Sequence, residues 1–191
     1  TVLLGAVLMW DFFVRVMQGV TMAFFEDVWS RNFLNFFATP LYLSEYLCGL
    51  VLSGIITSSV GLLVMISLAG LAFNLSFFAY GLMLVPFILV LFLFGIAMGI
   101  AASAMVLRLG PAAEWFVWPT PALLAPFAGV FYPISVLPHW MQYVSYLLPP
   151  SYVFEGMRQI ISGGTASINL LLVGFSLSII YILLACRLFT G

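Results

Sequence analysis

Chemistry in this chain has to come from very few groups. Eleven side chains in 191 residues carry a full charge: five Arg, six Asp or Glu, and no Lys. Asp11 and Arg15 are four apart in an apolar run, a spacing that puts both on one helix face within pairing distance. Two readings fit that pair: a neutralised pair packing against neighbouring helices, or charges lining a path, since ionisable groups in a membrane are costly and often functional. Glu155 and Arg158 are three apart in PPSYVFEGMR. They read as a local ion pair orienting a short helix. On a surface such a pair adds about 0–1 kcal/mol; in an apolar hairpin an unpaired charge would cost far more.

A third group is the segment EDVWSRNFLNFF, residues 26–37. It reads as a short amphipathic helix with Val28, Phe33, Phe36 and Phe37 on one face, ended by Pro40. Glu26 and Asp27 at its start would complement the helix dipole. Trp29, Phe33, Phe36 and Phe37 need a different account. Aromatics in a polar connection lie on a membrane surface or dock into a partner, and aromatics and Arg concentrate binding energy. No nucleophile–base set accompanies these groups. His139, the single histidine, stands between Pro138 and Trp140 with no Asp or Glu nearby in sequence, a setting that suits the membrane interface. Cys48 and Cys186 lie in apolar runs and read as small hydrophobes, and no Cys/His cluster suits a metal.

The elements that position these groups follow from composition. The chain is 65% hydrophobic and 6% charged, with a mean hydropathy of +1.26, against about 25% charged in soluble domains. A soluble surface cannot be built from that set, and disorder needs the opposite composition. A net charge of −1 leaves no basic patch for nucleic acid. The class is an all-α, polytopic membrane helical bundle.

A membrane helix needs about 20 apolar residues. Five spans are expected, at about 2–25, 47–73, 77–107, 116–136 and 168–189. Long unbroken apolar runs favour helices over a barrel. The fourth span contains Pro119, Pro121 and Pro126, with Pro133 just after, and is expected to be kinked. A tight turn near Asn74 joins the second and third spans. Between the fourth and fifth, two short helices fit 138–148 and 151–162, separated by Pro149-Pro150 and ended by Gly163-Gly164. They are too short to span and too apolar for a solvated loop, so they dip into the membrane or lie on it. Arg31, Arg108 and Arg187 fall on one side of a five-span chain and Arg158 on the other. The positive-inside rule makes the three-Arg side cytoplasmic, with residue 1 outside and residue 191 inside. No charged segment precedes the first apolar run, so this is not a signal peptide. The chain starts with Thr and reads as one transmembrane domain, 1–191, beginning inside a longer protein.

Two stretches carry a family resemblance. FFEDVWSRNFLNFFATPLYLSEYLCG resembles the first cytoplasmic loop of ABC-2 type transporter permeases, relatives of which export drugs, nodulation factors and polysaccharides. LPPSYVFEGMR resembles the family's signature before its last membrane helix. The resemblance implies that residues 26–37 form a coupling helix, with Glu26, Asp27, Trp29, Arg31, Asn32 and Phe33 meeting the ATP-binding subunit. It implies that residues 137–162 form an outer re-entrant hairpin, with Tyr152, Glu155 and Arg158 at its gate. It further implies a homodimer in a bacterial-type cytoplasmic membrane, with two ATPase subunits beneath. The permease itself would bind no cofactor: ATP and Mg would sit on the partner, and the sequence holds no GxxxxGK[ST] loop. Members usually have six spans after an amphipathic helix, one span more than is counted here.

The function implied is export of an amphipathic, lipid-linked or drug-like substrate by alternating access. An ion channel or secondary transporter is the alternative; it would be expected to show paired repeats with broken helices. A membrane-embedded lipid-modifying enzyme using His139, Glu155 and Arg158 is a third reading, without a convergent acid–base set to support it.

Overall fold

The computed structural model describes residues 2–30, 42–73, 84–163 and 167–190. Four helices among them are long and apolar enough to cross a membrane. They are α1 (Val2–Trp29), α2 (Leu43–Phe73), α3 (Leu84–Leu109) and, near the C-terminus, α8 (Ile168–Thr190). Between α3 and α8 come only short pieces: α4 (Glu114–Val117), α5 (Thr120–Ala128), α6 (His139–Tyr146) and α7 (Pro149–Ile161).

The long helices pack in the order α2–α1–α3–α8. In a membrane there is little hydrophobic force between helices, so close approach has to come from small residues and shape. The α1–α3 seam shows this. Val16 and Val20 of α1 press into Gly95 and Gly99 of α3, where an added Cβ would lie 2.7 Å from a valine carbon at each site. Below the glycines the seam is aromatic. Phe13 stacks on Phe94 at 5.3 Å between ring centroids, and Phe94 meets Tyr181 of α8 edge-on at 5.3 Å. Gly54 brings α2 against the same Val20, 2.5 Å from where its Cβ would stand. The core therefore lies along α1 and α3. In contrast, α2 and α8 keep Leu52, Ile56, Val60, Leu63, Leu172 and Leu183 exposed, as helices facing lipid do.

Residue numbers rise together across α1–α3 and α3–α8, so these three helices run parallel; α2 runs against α1, with Tyr46 beside Asp27 and Gly61 beside Arg15. Two parallel neighbours need the chain to return between them. The return is not the continuous fourth span expected at 116–136. Pro119, Pro121 and Pro126 lack the N–H that would close helical hydrogen bonds, and the path breaks into α4, a two-residue turn and α5. The backbone nevertheless stays right-handed helical through Trp118 and Pro119. Thr120 Oγ1 donates to the Phe116 carbonyl at 2.8 Å and Leu123 N–H to that of Pro119 at 3.0 Å. Gly129, at φ +69°, then stops α5.

Other boundaries shift for local reasons. α2 starts four residues earlier than expected, at Leu43, where the Glu45 carboxylate accepts the Tyr42 N–H at 2.9 Å and caps the helix. Pro149 and Pro150 open α7 instead of standing between two helices, because proline suits the first turn, where no N–H is needed. The tight turn at Asn74 lies outside the described residues.

Candidate functional site

The polar groups gather at the two ends of the bundle. At one end the expected separate helix over 26–37 is corrected in its first part: Glu26, Asp27 and Trp29 belong to the last turn of α1. The dipole argument for the two acids therefore reverses, since the C-terminal end of a helix carries the partial negative charge. Asp27 is held by a side chain: the Tyr46 hydroxyl donates to its carboxylate at 2.9 Å. Trp29 Nε1 donates to Glu114 Oε2 at 3.3 Å, and Trp118 Nε1 donates to Glu114 Oε1 at 3.3 Å. One carboxylate thus joins the end of α1 to α4 and to the turn that follows it. Phe25 fills the space between, 5.8 Å from Trp29 and 6.5 Å from Trp118 between ring centroids. Arg108 closes the same end by donating from Nε to the Leu188 carbonyl of α8 at 2.8 Å. Arg31, Asn32 and Phe33 lie outside the described residues.

Neither Glu114 nor Trp118 stood out among the candidate residues of the sequence. Their spacing of four, with a carboxylate before an indole donor on one helix face, was the available signal.

The other end is organised by Arg158 on α7. Its Nη1 donates to Glu155 Oε2 at 2.9 Å, as the spacing of three predicts. Its Nη2 donates to the carbonyls of Gly129 and Tyr132, the latter at 2.7 Å. The left-handed turn at Gly129 leaves these carbonyls without helical partners, and the planar guanidinium can reach several acceptors at once. Tyr132 itself donates to the Pro126 carbonyl at 2.9 Å. Tyr152 does not join this cluster; its hydroxyl donates to the Tyr146 carbonyl at 2.8 Å and ties α7 to α6. Burial, and then the neighbouring Tyr146, raise the Tyr152 phenol above its ordinary pKa. Gly156 lets α7 lie directly on Phe87, whose ring would be 2.3 Å from an added Cβ. A cavity of about 200 Å³ lies beside this end, lined by Leu3, Ala6, Phe131, Phe154 and Arg158 among others.

Asp11 and Arg15 pair as expected, Nε to Oδ2 at 2.6 Å, but side-chain exposure stays at 43% and 54%. Among the described residues, no group of three or more His, Cys, Asp or Glu could hold a metal.

This arrangement is a membrane bundle with a polar clasp at each end, joined by a proline-broken helix. A family model described as ABC-2 type transporter matches residues 2–162, from α1 through the end of α7. The chain belongs to the ABC-2 type transporter family. It has no match among curated proteins. As an ABC-2 membrane domain it is a permease component, a transport subunit rather than a catalytic one, and components of this kind pair with an ABC ATP-binding subunit. The permease's apolar helices make it an integral membrane protein.

Proposed function

We propose that the chain is the membrane-spanning subunit of an ATP-driven exporter, moving an amphipathic, lipid-linked or drug-like substrate out of the cytoplasm by alternating access. It works as a homodimer above two ATP-binding subunits, which hold the ATP and Mg. Residues 26–37 contact those subunits through Glu26, Asp27, Trp29, Arg31, Asn32 and Phe33. Tyr152, Glu155 and Arg158 form the gate at the outer end.

The observation that carries this reading is the Trp29–Glu114–Trp118 link. A push on the end of α1 is handed directly to the α4–α5 segment, whose far end Arg158 fastens to the re-entrant helices. A helix already broken at Pro119 has a natural place to bend. The orientation is supported by Arg108 and Arg187, in the last turns of α3 and α8 at the Trp29 end, while Arg158 stands at the opposite end. Taking α4–α5 as the fourth crossing supports a five-pass arrangement with residue 1 outside and residue 191 in the cytoplasm.

The test is the Trp29→Ala, Arg31→Glu double variant in the full-length transporter. Co-purification of the ATP-binding subunit and substrate-stimulated hydrolysis should both fall at least tenfold. Survival of both at wild-type level would overturn the assignment of the coupling surface.

A further inference from the structure

A cleft of about 330 Å³ opens between α1 and α2, within the membrane-crossing lengths of both. It is lined by Arg15, Gln18, Glu26, Ser53, Thr57 and Ser58, with the small Gly19 and Gly61 and the apolar Met22 and Ala23. Beyond its first turn, α2 is apolar but for Ser59 and Ser67 outside the cleft, so three hydroxyls gathered on one side of it need a reason; at membrane depth such groups either pack helices or line a path.

Ser58 supplies a second, independent observation. It is 1% exposed, and its hydroxyl is the one buried side-chain polar atom among the described residues with no hydrogen-bond partner. Serine and threonine in a helix usually turn back to the carbonyl four residues earlier. Thr21, Thr57, Ser67, Ser103 and Ser178 all do so in this bundle. Ser58 is left with a donor to satisfy, and a buried polar group without a partner is costly until one arrives.

The charges at the cleft select the partner. Arg15 is already neutralised by Asp11. Glu26 is eleven positions further along α1, roughly 16 Å away at helical rise. Between them stand Gln18, Ser53, Thr57 and Ser58, which together offer donors and acceptors but no net charge. An anionic group would meet no unpaired cation there. A quaternary ammonium beside Ser58 would meet no aromatic ring, since none lines the cleft, and the Glu26 carboxylate stands eight positions, roughly 12 Å, along α1 from Gln18.

We propose that this cleft binds the uncharged, hydroxyl-bearing part of a membrane-dissolved amphiphile, through Ser58, Thr57, Ser53 and Gln18, with the alkyl part against Met22 and Ala23. The proposal rests on the permease reading and names the chemical class of the cargo.

The probe is a diazirine-bearing octanol, photolysed with the full transporter in phosphatidylethanolamine–phosphatidylglycerol nanodiscs, and adducts are mapped by mass spectrometry. Two further probes of the same length carry a carboxylate or a trimethylammonium in place of the hydroxyl. Octanol adducts should concentrate in residues 15–26 and 53–61, at least fivefold above either charged probe. Gly61→Phe should reduce them at least fivefold by filling the cleft, because a Cβ there meets only Arg15 Cδ at 3.7 Å. The smaller Ser58→Ala, Thr57→Val pair should reduce them at least threefold, and stands alone if Gly61→Phe fails to fold. Equal labelling by all three probes, no adducts in these two stretches, or labelling unchanged in the variants overturns the proposal. Labelling needs no ATPase. A cleft that labels while the ATP-binding subunit fails to co-purify sinks only the permease reading; the reverse result sinks only the cleft.

Discussion

Arg158 holds together two chain segments that are distant in sequence. It pairs with Glu155 on its own helix and donates to the Gly129 and Tyr132 carbonyls just past the end of the broken helix. Truncating it leaves two partly buried acceptors and a carboxylate without a donor, a loss of about 1–3 kcal/mol. Arg158→Leu is therefore expected to lower the melting temperature of the purified protein. Arg158→Lys should recover only part of that loss, since an ammonium on a flexible stem does not reproduce the planar fork. Full recovery by lysine in a thermal melt would show that charge alone, and not the bridging geometry, is what matters. Asp27 shows the complementary case. It sits at the unfavourable end of the α1 dipole, and the Tyr46 hydroxyl offsets this by binding its carboxylate.

At the scale of elements, the bundle is assembled on glycine-to-valine contacts. Gly95 and Gly99 are four apart on α3, a small-xxx-small spacing that lets backbones approach. At Gly99 an added Cβ would stand 2.7 Å from Val20 Cβ and 2.9 Å from the Met17 carbonyl oxygen. Gly99→Ala is expected to destabilise the protein by about 1–3 kcal/mol through overpacking. Gly49 on α2 has nothing within 4 Å of its Cβ position, so Gly49→Ala should be neutral or slightly stabilising, alanine being the better helix former. A thermal melt compares the two, and equal melting temperatures would remove the α1–α3 seam from the account of stability. The α4–α5 break belongs to this scale as well. Its prolines were plain in the sequence, and a kink was expected from them. Their full effect, two short helices with an intervening turn, depended on what filled the missing bonds, and only Thr120 and Pro119 show that.

For the molecule as a whole, the two ends differ in what they hold. One end carries Trp29, Glu114, Trp118 and Arg108; the other carries the Arg158 clasp and the short helices α6 and α7. The proposed orientation makes the first end cytoplasmic. Tyr143 and Leu109 are exposed at opposite ends, at 73% and 71%. With Cys48 and Cys186 replaced, Tyr143→Cys should react with an impermeant maleimide on intact cells, and Leu109→Cys only after permeabilisation. The reverse pattern would invert the topology.

Composition alone determined that this chain lives in a membrane, because 6% charge cannot clothe a soluble surface. Apolar run length located α1, α2, α3 and α8 to within several residues at each end, since hydrocarbon thickness fixes how many residues a span needs. The pairs at spacings of four and three, Asp11–Arg15 and Glu155–Arg158, were legible for the same kind of reason: helical geometry brings such positions together without help from the rest of the fold. Contacts between residues far apart in the chain were not legible. Glu114 meets Trp29 across 85 positions, and Arg158 meets Gly129 across 29. Nothing local encodes those meetings. They arise because α3 and α8 run parallel, which obliges the chain between them to return, alongside α1, and brings its two ends to the two clasps. Local spacing set the pieces, and only packing decided which polar groups face one another and which, like Ser58, are left buried without a partner beside a cleft.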